Sequence, residues 1–361
     1  MENVKINQVV VKLASTCNLK CKYCYWFQTE DILKKQKVMS DELLESLVVR
    51  VKNHFVVNDR LCLVLHGGEP TLIGKKKMRK LLEELRLVAD QTQLSLAITT
   101  NGMWLDEEWI HLFKKYDVSF TISLDGPELV HNKNRVDFQG RGTHDRVMKS
   151  IRLCQAQGVR VGSLMVLSDS VEVGARELLD FYVNSDISDI DFLIPDANYD
   201  SKSRLTFASK FSEVFKLWFN EYHQKLNVRV FESIIKACLG RAAKAEGIGP
   251  GYMSIVTVET DGGLKPFEVL LPSGQSSGFN ILNNEFLDIR HDLQWQAILK
   301  GSTELSDECQ QCVLNRVCGG GNIAHRYSSR NGYENPSVHC EELKELYVEC
   351  FSVIKEQLFI K

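Results

Sequence analysis

Short apolar runs alternate with amphipathic stretches from the N-terminus to about residue 195. The runs Val4–Leu13, Leu61–Leu65, Leu94–Thr99, Val118–Ser123, Val159–Leu167 and Ile190–Ile194 predict six strands. Between them, polar and apolar positions recur at helical spacing. Ser40 reads as an N-cap, with Asp41 and Glu42 in the first turn of a helix running to about Phe55. Lys75–Ala89 sets Leu81, Leu82, Leu85 and Val88 on one face. Asp106–Tyr116, Thr143–Gln157 and Val173–Asn184 complete the series. Strands that alternate with helices demand a parallel sheet with right-handed crossovers. Six repeats fall short of a closed eight-stranded barrel. The pattern therefore predicts an α/β fold, an open, partial (β/α)6 barrel.

Beyond Asp196 the alternation stops. Leu205–Lys225 predicts a long helix with Phe207, Phe211, Phe215 and Trp218 along it, a stripe whose ordinary use is core packing. A second helix is expected over Phe231–Ala245. The turn TDGG joins expected strands Ser254–Glu259 and Lys265–Leu271. This divides the chain into a barrel over residues 1–200, a helical and β-hairpin bridging region over 201–300, and a cysteine-bearing region over 301–361.

Composition narrows the class. The chain has 361 residues, 44% hydrophobic and 25% charged, as expected of a globular enzyme with one large domain and a smaller one. A net charge of −3 gives no reason to expect a nucleic-acid partner. No apolar run approaches the ~18 residues of a membrane span, and MENVKINQVVVKLAS lacks the order of a secretory signal. Eleven cysteines, several at C-x2-C spacing, are therefore expected to hold metal in a reducing cytoplasm rather than to form disulfides.

Four motifs fall at four successive strand ends, where barrels of this kind carry function. Cys17, Cys21 and Cys24 follow the first strand, HGGEP (His66–Pro70) the second, TTNG (Thr99–Gly102) the third, and SLDGP (Ser123–Pro127) the fourth. A lone glycine pair is usually a turn, but four coincidences are not. The spacing C-x3-C-x2-C lets three thiolates hold three corners of a [4Fe–4S] cube and leaves one iron open to a small molecule. A zinc site is the competing reading, yet zinc in a structural site takes a fourth protein ligand, and none follows closely.

This pattern resembles the radical S-adenosylmethionine (SAM) superfamily, which uses that open iron to chelate SAM and generate a 5′-deoxyadenosyl radical. The resemblance implies the partial barrel and a set of SAM contacts. Gly67, Gly68 and Glu69 would meet the SAM amine, Ser123 the ribose, Arg135 the carboxylate and Tyr23 the adenine side. Asn101 would reach the same ligand, and Leu167 would pack on adenine. Arg135 facing solvent, and Leu167 as plain core, are the alternatives.

Cys309, Cys312 and Cys318 are spaced C-x2-C-x5-C, with GGGN following and Cys340 further on. Four thiolates can close a cluster fully or hold a zinc ion. The region resembles a SPASM domain, the auxiliary-cluster module of radical SAM peptide maturases. That module usually carries two clusters. Here the ligand positions of one are Phe267 and Asn322, and Cys238 lies too far upstream to serve. The resemblance thus implies one auxiliary cluster, two [4Fe–4S] clusters in all.

CKYCYWF, DFLIPDANYD, VETDGGLKPFEVL and CGGGNIAHRYSSRNGYENPSVHC further resemble maturases that form cyclophanes in ribosomal peptides. The implied reaction takes hydrogen from a side-chain Cβ, joins that carbon to an aromatic ring, and passes one electron to the auxiliary cluster. Asp196, Asp261, Glu268 and His325 are candidate bases for the proton. Expected partners are a precursor peptide, a flavodoxin- or ferredoxin-type electron donor, and a separate leader-binding protein, since only 16 residues precede Cys17. Thioether formation, epimerisation and formylglycine generation are the alternative radical SAM outcomes. A non-catalytic iron–sulfur or zinc peptide-binding protein is the alternative from another class.

Overall fold

The structure, a computed structural model, describes residues 5–24, 36–56, 58–243, 245–251, 255–267 and 278–358, the side chains of Gln357 and Leu358 excepted. In chain order its principal elements are β1 (Gln8–Ala14), α1 (Asp41–His54), β2 (Leu61–Gly67), α2 (Lys75–Val88), β3 (Leu94–Thr100), α3 (Glu107–Lys115), β4 (Val118–Ser123), α4 (Glu128–Asn134), α5 (His144–Ala156), β5 (Val161–Val166), α6 (Ala175–Asn184), β6 (Asp189–Leu193), α7 (Ala208–Leu217), β7 (Asn227–Val228), α8 (Arg229–Cys238), β8 (Ile255–Val258), β9 (Leu264–Pro266), α9 (Leu293–Thr303), α10 (Asp307–Gln311), α11 (Asn315–Cys318) and α12 (Cys340–Leu358). All six expected strands of the alternating region are present. The first begins later than the pattern predicts, and Val4 lies outside the described residues. Helix α4 was not foreseen.

Contacts divide the chain into two compact units. The first comprises Met1–Ser123, His131–Val161 and Met253–Gln296; the second comprises Leu124–Val130, Gly162–Tyr252 and Ala297–Lys361. In the first unit β1 pairs parallel with β2, β2 with β3, and β3 with β4. Exposure alternates along β2, β3 and β4. One face buries Leu63, Leu65, Leu96, Ile98, Phe120 and Ile122. The other carries smaller and polar side chains such as His66, Thr99, Thr121 and Ser123, which stay half-buried. Helix α1 starts as its sequence dictates: the Ser40 Oγ accepts from the Leu43 N–H at 3.3 Å. On α3, Phe113 packs edge-on against Phe120 of β4 at 5.2 Å between ring centroids.

The hairpin β8–β9 joins this sheet. Val256 pairs with Pro266 across the hairpin, and β8 runs parallel to β1 with Val9 opposite Val256. Nothing in the hydrophobic pattern announces that pairing, because a strand's face does not name its neighbour.

In the second unit β5, β6 and β7 are parallel neighbours. Two of its helices differ from expectation. Helix α7 starts only at Ala208, because the Phe207 N–H is taken by the Glu342 carboxylate at 2.8 Å. It ends in a wider π turn over Trp218–Tyr222, where the Trp218 indole N–H donates to the Leu226 carbonyl at 2.8 Å. Helix α8 stops at Cys238 rather than Ala245. Gly240 adopts φ 69°, and the Arg241 N–H returns to the Lys236 carbonyl at 2.7 Å, a Schellman stop that only glycine takes without strain.

The aromatic stripe is core. Phe231 meets Phe192, Phe211, Phe215 and Trp218 at centroid distances of 5.3–6.2 Å. Phe231→Ala is expected to destabilise the protein by about 3–5 kcal/mol, the range for a deleted core aromatic. Denaturant unfolding at unchanged m-value measures it.

Candidate active site

The ends of β1, β2 and β3 are laced together in the first unit. The Gly68 N–H donates to the Ala14 carbonyl at 2.8 Å, and the Glu69 N–H to the Thr16 carbonyl at 2.9 Å. A Cβ on Gly67, whose φ is 129°, would sit 2.3 Å from the Ala14 oxygen. A Cβ on Gly68 would sit 2.3 Å from the Thr16 oxygen. Both glycines are therefore demanded by the neighbouring backbone that leads into Cys17, a use distinct from the ligand approach that the motif suggests.

Glu69 is 1% exposed. Its Oε1 accepts from the Thr71 N–H at 3.0 Å and from the Thr71 and Thr100 hydroxyls at 2.7 Å each; Oε2 accepts from the Asn101 N–H at 2.8 Å. The carboxylate is a clamp between the second and third strand ends. Burial pushes its pKa up, and these four donors pull it down. Asn101 continues the lacing, its Nδ2 donating to Asn18 Oδ1 at 2.7 Å and to Cys17 Sγ at 3.6 Å. Asn18, Thr71 and Thr100 were missed by sequence reasoning, although Thr100 lies inside TTNG.

Cys17 also accepts from the Leu19 N–H at 3.4 Å. Burial pushes its thiol up to about 12, with Glu69, Cys21 and Cys24 adding to the rise. Three adjacent thiolates at this spot are unfavourable until a cationic centre joins them. The loop Leu19–Lys22 runs beside residues 134–137, with the Lys20 N–H donating to Val136 at 2.8 Å and the Lys22 N–H to Asn134 at 3.0 Å. Arg135 is 9% exposed and stands over the Tyr23 ring at 5.4 Å, so it is buried rather than a solvent-facing surface residue. Its carbonyl accepts from the Thr143 hydroxyl at 2.9 Å, which leaves that oxygen to accept from His131 Nε2 at 3.0 Å. Ser123 ends β4, half-buried. Leu167 belongs to the second unit, fully buried, its N–H donating to Leu193 at 3.0 Å.

The second thiol set lies wholly in the second unit. Cys309 is on α10, Cys312 caps that helix, Cys318 ends α11 and Cys340 opens α12. Gly319, Gly320 and Gly321 all have positive φ, turning the chain sharply after Cys318. Burial pushes the Cys318 thiol up to about 12, and Cys340, Cys309 and Cys312 add to it. Asn322 caps a short turn through the Ala324 N–H at 2.9 Å, and Phe267 is a buried core residue at φ 71°. Neither position has a thiol to offer a further cluster.

None of the eleven cysteines is in a disulfide. Among the described residues no three His, Cys, Asp or Glu side chains gather closely enough for a single metal ion. Within each set the thiols nevertheless act on one another electrostatically. Neighbouring thiols spread wider than one ion fit a polynuclear iron–sulfur group rather than tetrahedral zinc.

The four candidate bases separate. Asp196 Oδ1 lies 3.3 Å from Nε2 of the buried His325, both in the second unit. Asp261 is exposed in the first unit, its Oδ1 spent on the Gly263 N–H at 3.1 Å in the hairpin turn. Glu268 lies outside the described residues.

Two predictions follow from the lacing. All four partners of Glu69 donate, so the amide of Glu69→Gln must set an N–H₂ against a backbone N–H. This variant, like Glu69→Ala, is expected to lose about 1–3 kcal/mol for each buried donor left without an acceptor. Thermal unfolding of iron-free protein tests this apart from SAM binding, and an unchanged Tm overturns the clamp. His131 is held down to about 2, by burial first and then by Arg135 and His144. The unfolded chain thus binds the proton first, and stability falls as pH drops below about 6.5, by about 2 kcal/mol at pH 5. His131→Gln should flatten this acid limb in a pH series of denaturant melts.

Comparison with known proteins agrees with this geometry. Residues 11–181 match the radical SAM superfamily. The cysteine-type anaerobic sulfatase-maturating enzyme of Clostridium perfringens is 26% identical over 358 residues, covering 95% of this chain and 96% of that protein. The serine-type enzyme of Bacteroides thetaiotaomicron is 31% identical over 177 residues, 48% of this chain and 42% of that one. A solved structure of native anSMEcpe with bound AdoMet and the Cp18Cys peptide superposes with a TM-score of 0.83 at 25% identity, covering 98% of this chain and 99% of that one. The fold is the α/β fold of the radical SAM proteins with its parallel sheet, and no described helix is long and apolar enough to cross a membrane. With the three-cysteine loop clamped at the ends of these strands, the chain belongs to the radical SAM superfamily and is an enzyme similar over nearly its whole length to the anaerobic sulfatase-maturating enzymes.

Proposed function

We propose that this enzyme oxidises the Cβ of one residue in a peptide or protein substrate, and that conversion of a Cys or Ser side chain to formylglycine is its reaction. Similarity to a cysteine-type maturase across 95% of the chain is the observation that carries this reading. Cyclophane formation, the outcome expected from the motifs, is not what that similarity supports. It stays as a second reading, favoured by one feature: Phe267 and Asn322 stand where a SPASM module with two clusters would have thiols.

Cys17, Cys21 and Cys24 hold the cluster that, once loaded, cleaves SAM and supplies a radical able to take hydrogen from an unactivated carbon. Arg135 and Tyr23 flank that loop and offer a cation and a ring to SAM; Ser123 offers a hydroxyl. Gly67, Gly68, Glu69 and Asn101 keep the loop in place, leaving main-chain carbonyls to meet an ammonium. After hydrogen loss the substrate carbon must give up one electron and one proton in either reading. Cys309, Cys312, Cys318 and Cys340 hold the electron acceptor. Asp196, backed by His325, is the base that the geometry supports. A flavodoxin- or ferredoxin-type protein in a reducing cytoplasm supplies the priming electron. A separate leader-binding protein belongs to the crosslinking reading alone.

The test is anaerobic. Reconstituted enzyme with SAM and dithionite should release 5′-deoxyadenosine and turn a Cys-bearing sulfatase-type peptide into an aldehyde that hydrazine reagents capture. Replacing Cys17, Cys21 and Cys24 by Ala should abolish both. Cys318→Ala should keep SAM cleavage yet lose the aldehyde. A product lacking two hydrogens, with its thiols intact and no aldehyde, selects the crosslinking reading. No 5′-deoxyadenosine with any peptide overturns both.

A further inference from the structure

Arg326 is 1% exposed, among the largest fully buried side chains of the protein. Its Nε donates to the Asn335 carbonyl at 2.8 Å, Nη1 to Gly301 at 2.8 Å and Nη2 to Tyr333 at 2.9 Å. All three acceptors are neutral, and among the described residues no carboxylate pairs with the guanidinium. A buried cation without an anion is costly. The anionic field it meets is that of Cys309 and Cys318. Gly320, two residues after Cys318, packs on it: a Cβ there would lie 3.2 Å from Nη1, 3.7 Å from Cζ and 2.9 Å from Leu305 Cδ2.

We infer that Arg326 is the counter-charge of the iron–sulfur group held by Cys309, Cys312, Cys318 and Cys340, and that it raises the reduction potential of that group so that it can accept the substrate's electron. The inference rests on reading those thiols as cluster ligands. Reduction adds one negative charge to the cluster, and the substrate radical is the species oxidised. A fixed buried cation stabilises the reduced form more than the oxidised one, and low local polarity magnifies the difference. Lys344 is the competing cation. It is exposed and already paired with Glu341 at 2.8 Å, so solvent screens it.

The test is an EPR-monitored redox titration of the full-length holoenzyme, following the reduced-cluster signal that added SAM leaves unchanged, with iron content measured alongside. Arg326→Gln should hold the same iron and lower the reduced-to-oxidised ratio about tenfold at fixed potential, a fall of about 59 mV for one electron. Arg326→Lys, which keeps the charge, should stay near the parent. Leu305→Glu sets a carboxylate beside the guanidinium with the three hydrogen bonds intact, and should lower the potential even where Arg326→Gln does not fold. A full cluster with unmoved potential in Arg326→Gln or Leu305→Glu overturns the inference, as does an equal fall in Arg326→Lys. Iron that Cys318→Ala leaves undiminished overturns the cluster reading itself, and the inference with it.

Discussion

The buried carboxylate of Glu69 is the constraint on which the N-terminal site depends. A parallel sheet delivers consecutive strand ends to one edge, but it does not fix the loops that leave them. Here one anion collects donors from Thr71, Thr100 and Asn101, while the main chain of Gly68 and Glu69 grips Ala14 and Thr16. The residues between Ala14 and Cys17 can then come close only because Gly67 and Gly68 carry no Cβ. The cysteine loop is thus positioned by its neighbours before any iron arrives. Precise placement matters because a hydrogen-abstracting radical must meet its carbon at contact distance.

The two thiol sets use different scaffolds for related chemistry. Cys17, Cys21 and Cys24 lie on a loop at a strand end, flanked by a tyrosine ring and the Arg135 guanidinium. Cys309, Cys312, Cys318 and Cys340 are tied to helix ends and to a triple-glycine turn. An open loop leaves room for a ligand beside the three thiols. A set spread over several elements suits a closed centre, since each thiol arrives from a different direction. In both places burial makes thiolates costly by themselves, and each set has an arginine within reach of its field.

Much of this was legible in the sequence because it depends on local periodicity. The strands, the Ser40 cap and the placing of motifs at strand ends all follow from side-chain alternation and capping chemistry. What stayed hidden depends on partners remote in the chain. The pairing of β8 with β1 has no local signature. Helix α7 starts late because Glu342, far along the sequence, claims the Phe207 N–H. Gly240 was a visible helix stop that the longer apolar pattern outweighed. At the site, Cys17, Cys21 and Cys24 announce themselves by spacing, whereas Thr71 and Thr143 act through single hydroxyls that no spacing marks. Arg135 could be read as surface or site from sequence; only its burial against Tyr23 decides. Asp261 and Asp196 looked alike as candidate bases, and a turn hydrogen bond separates them.

The choice between formylglycine and a carbon–carbon crosslink turns on the substrate as much as on the enzyme. Both remove hydrogen from a Cβ, and both then need one electron and one proton taken away. A thiol or hydroxyl on the radical carbon lets oxidation close directly to a C=S or C=O bond. An aromatic ring held nearby offers addition instead, and rearomatisation then requires the same electron and proton. The chain's fixed machinery serves either path: a clamped cysteine loop, a second thiol set beside a buried arginine, and a half-exposed aspartate backed by histidine. What a single auxiliary centre changes is the number of sites at which the departing electron can rest. With thiols absent at positions 267 and 322, that electron has to reach the one set in the second unit. This places a premium on the potential of that set, and hence on the charge that surrounds it.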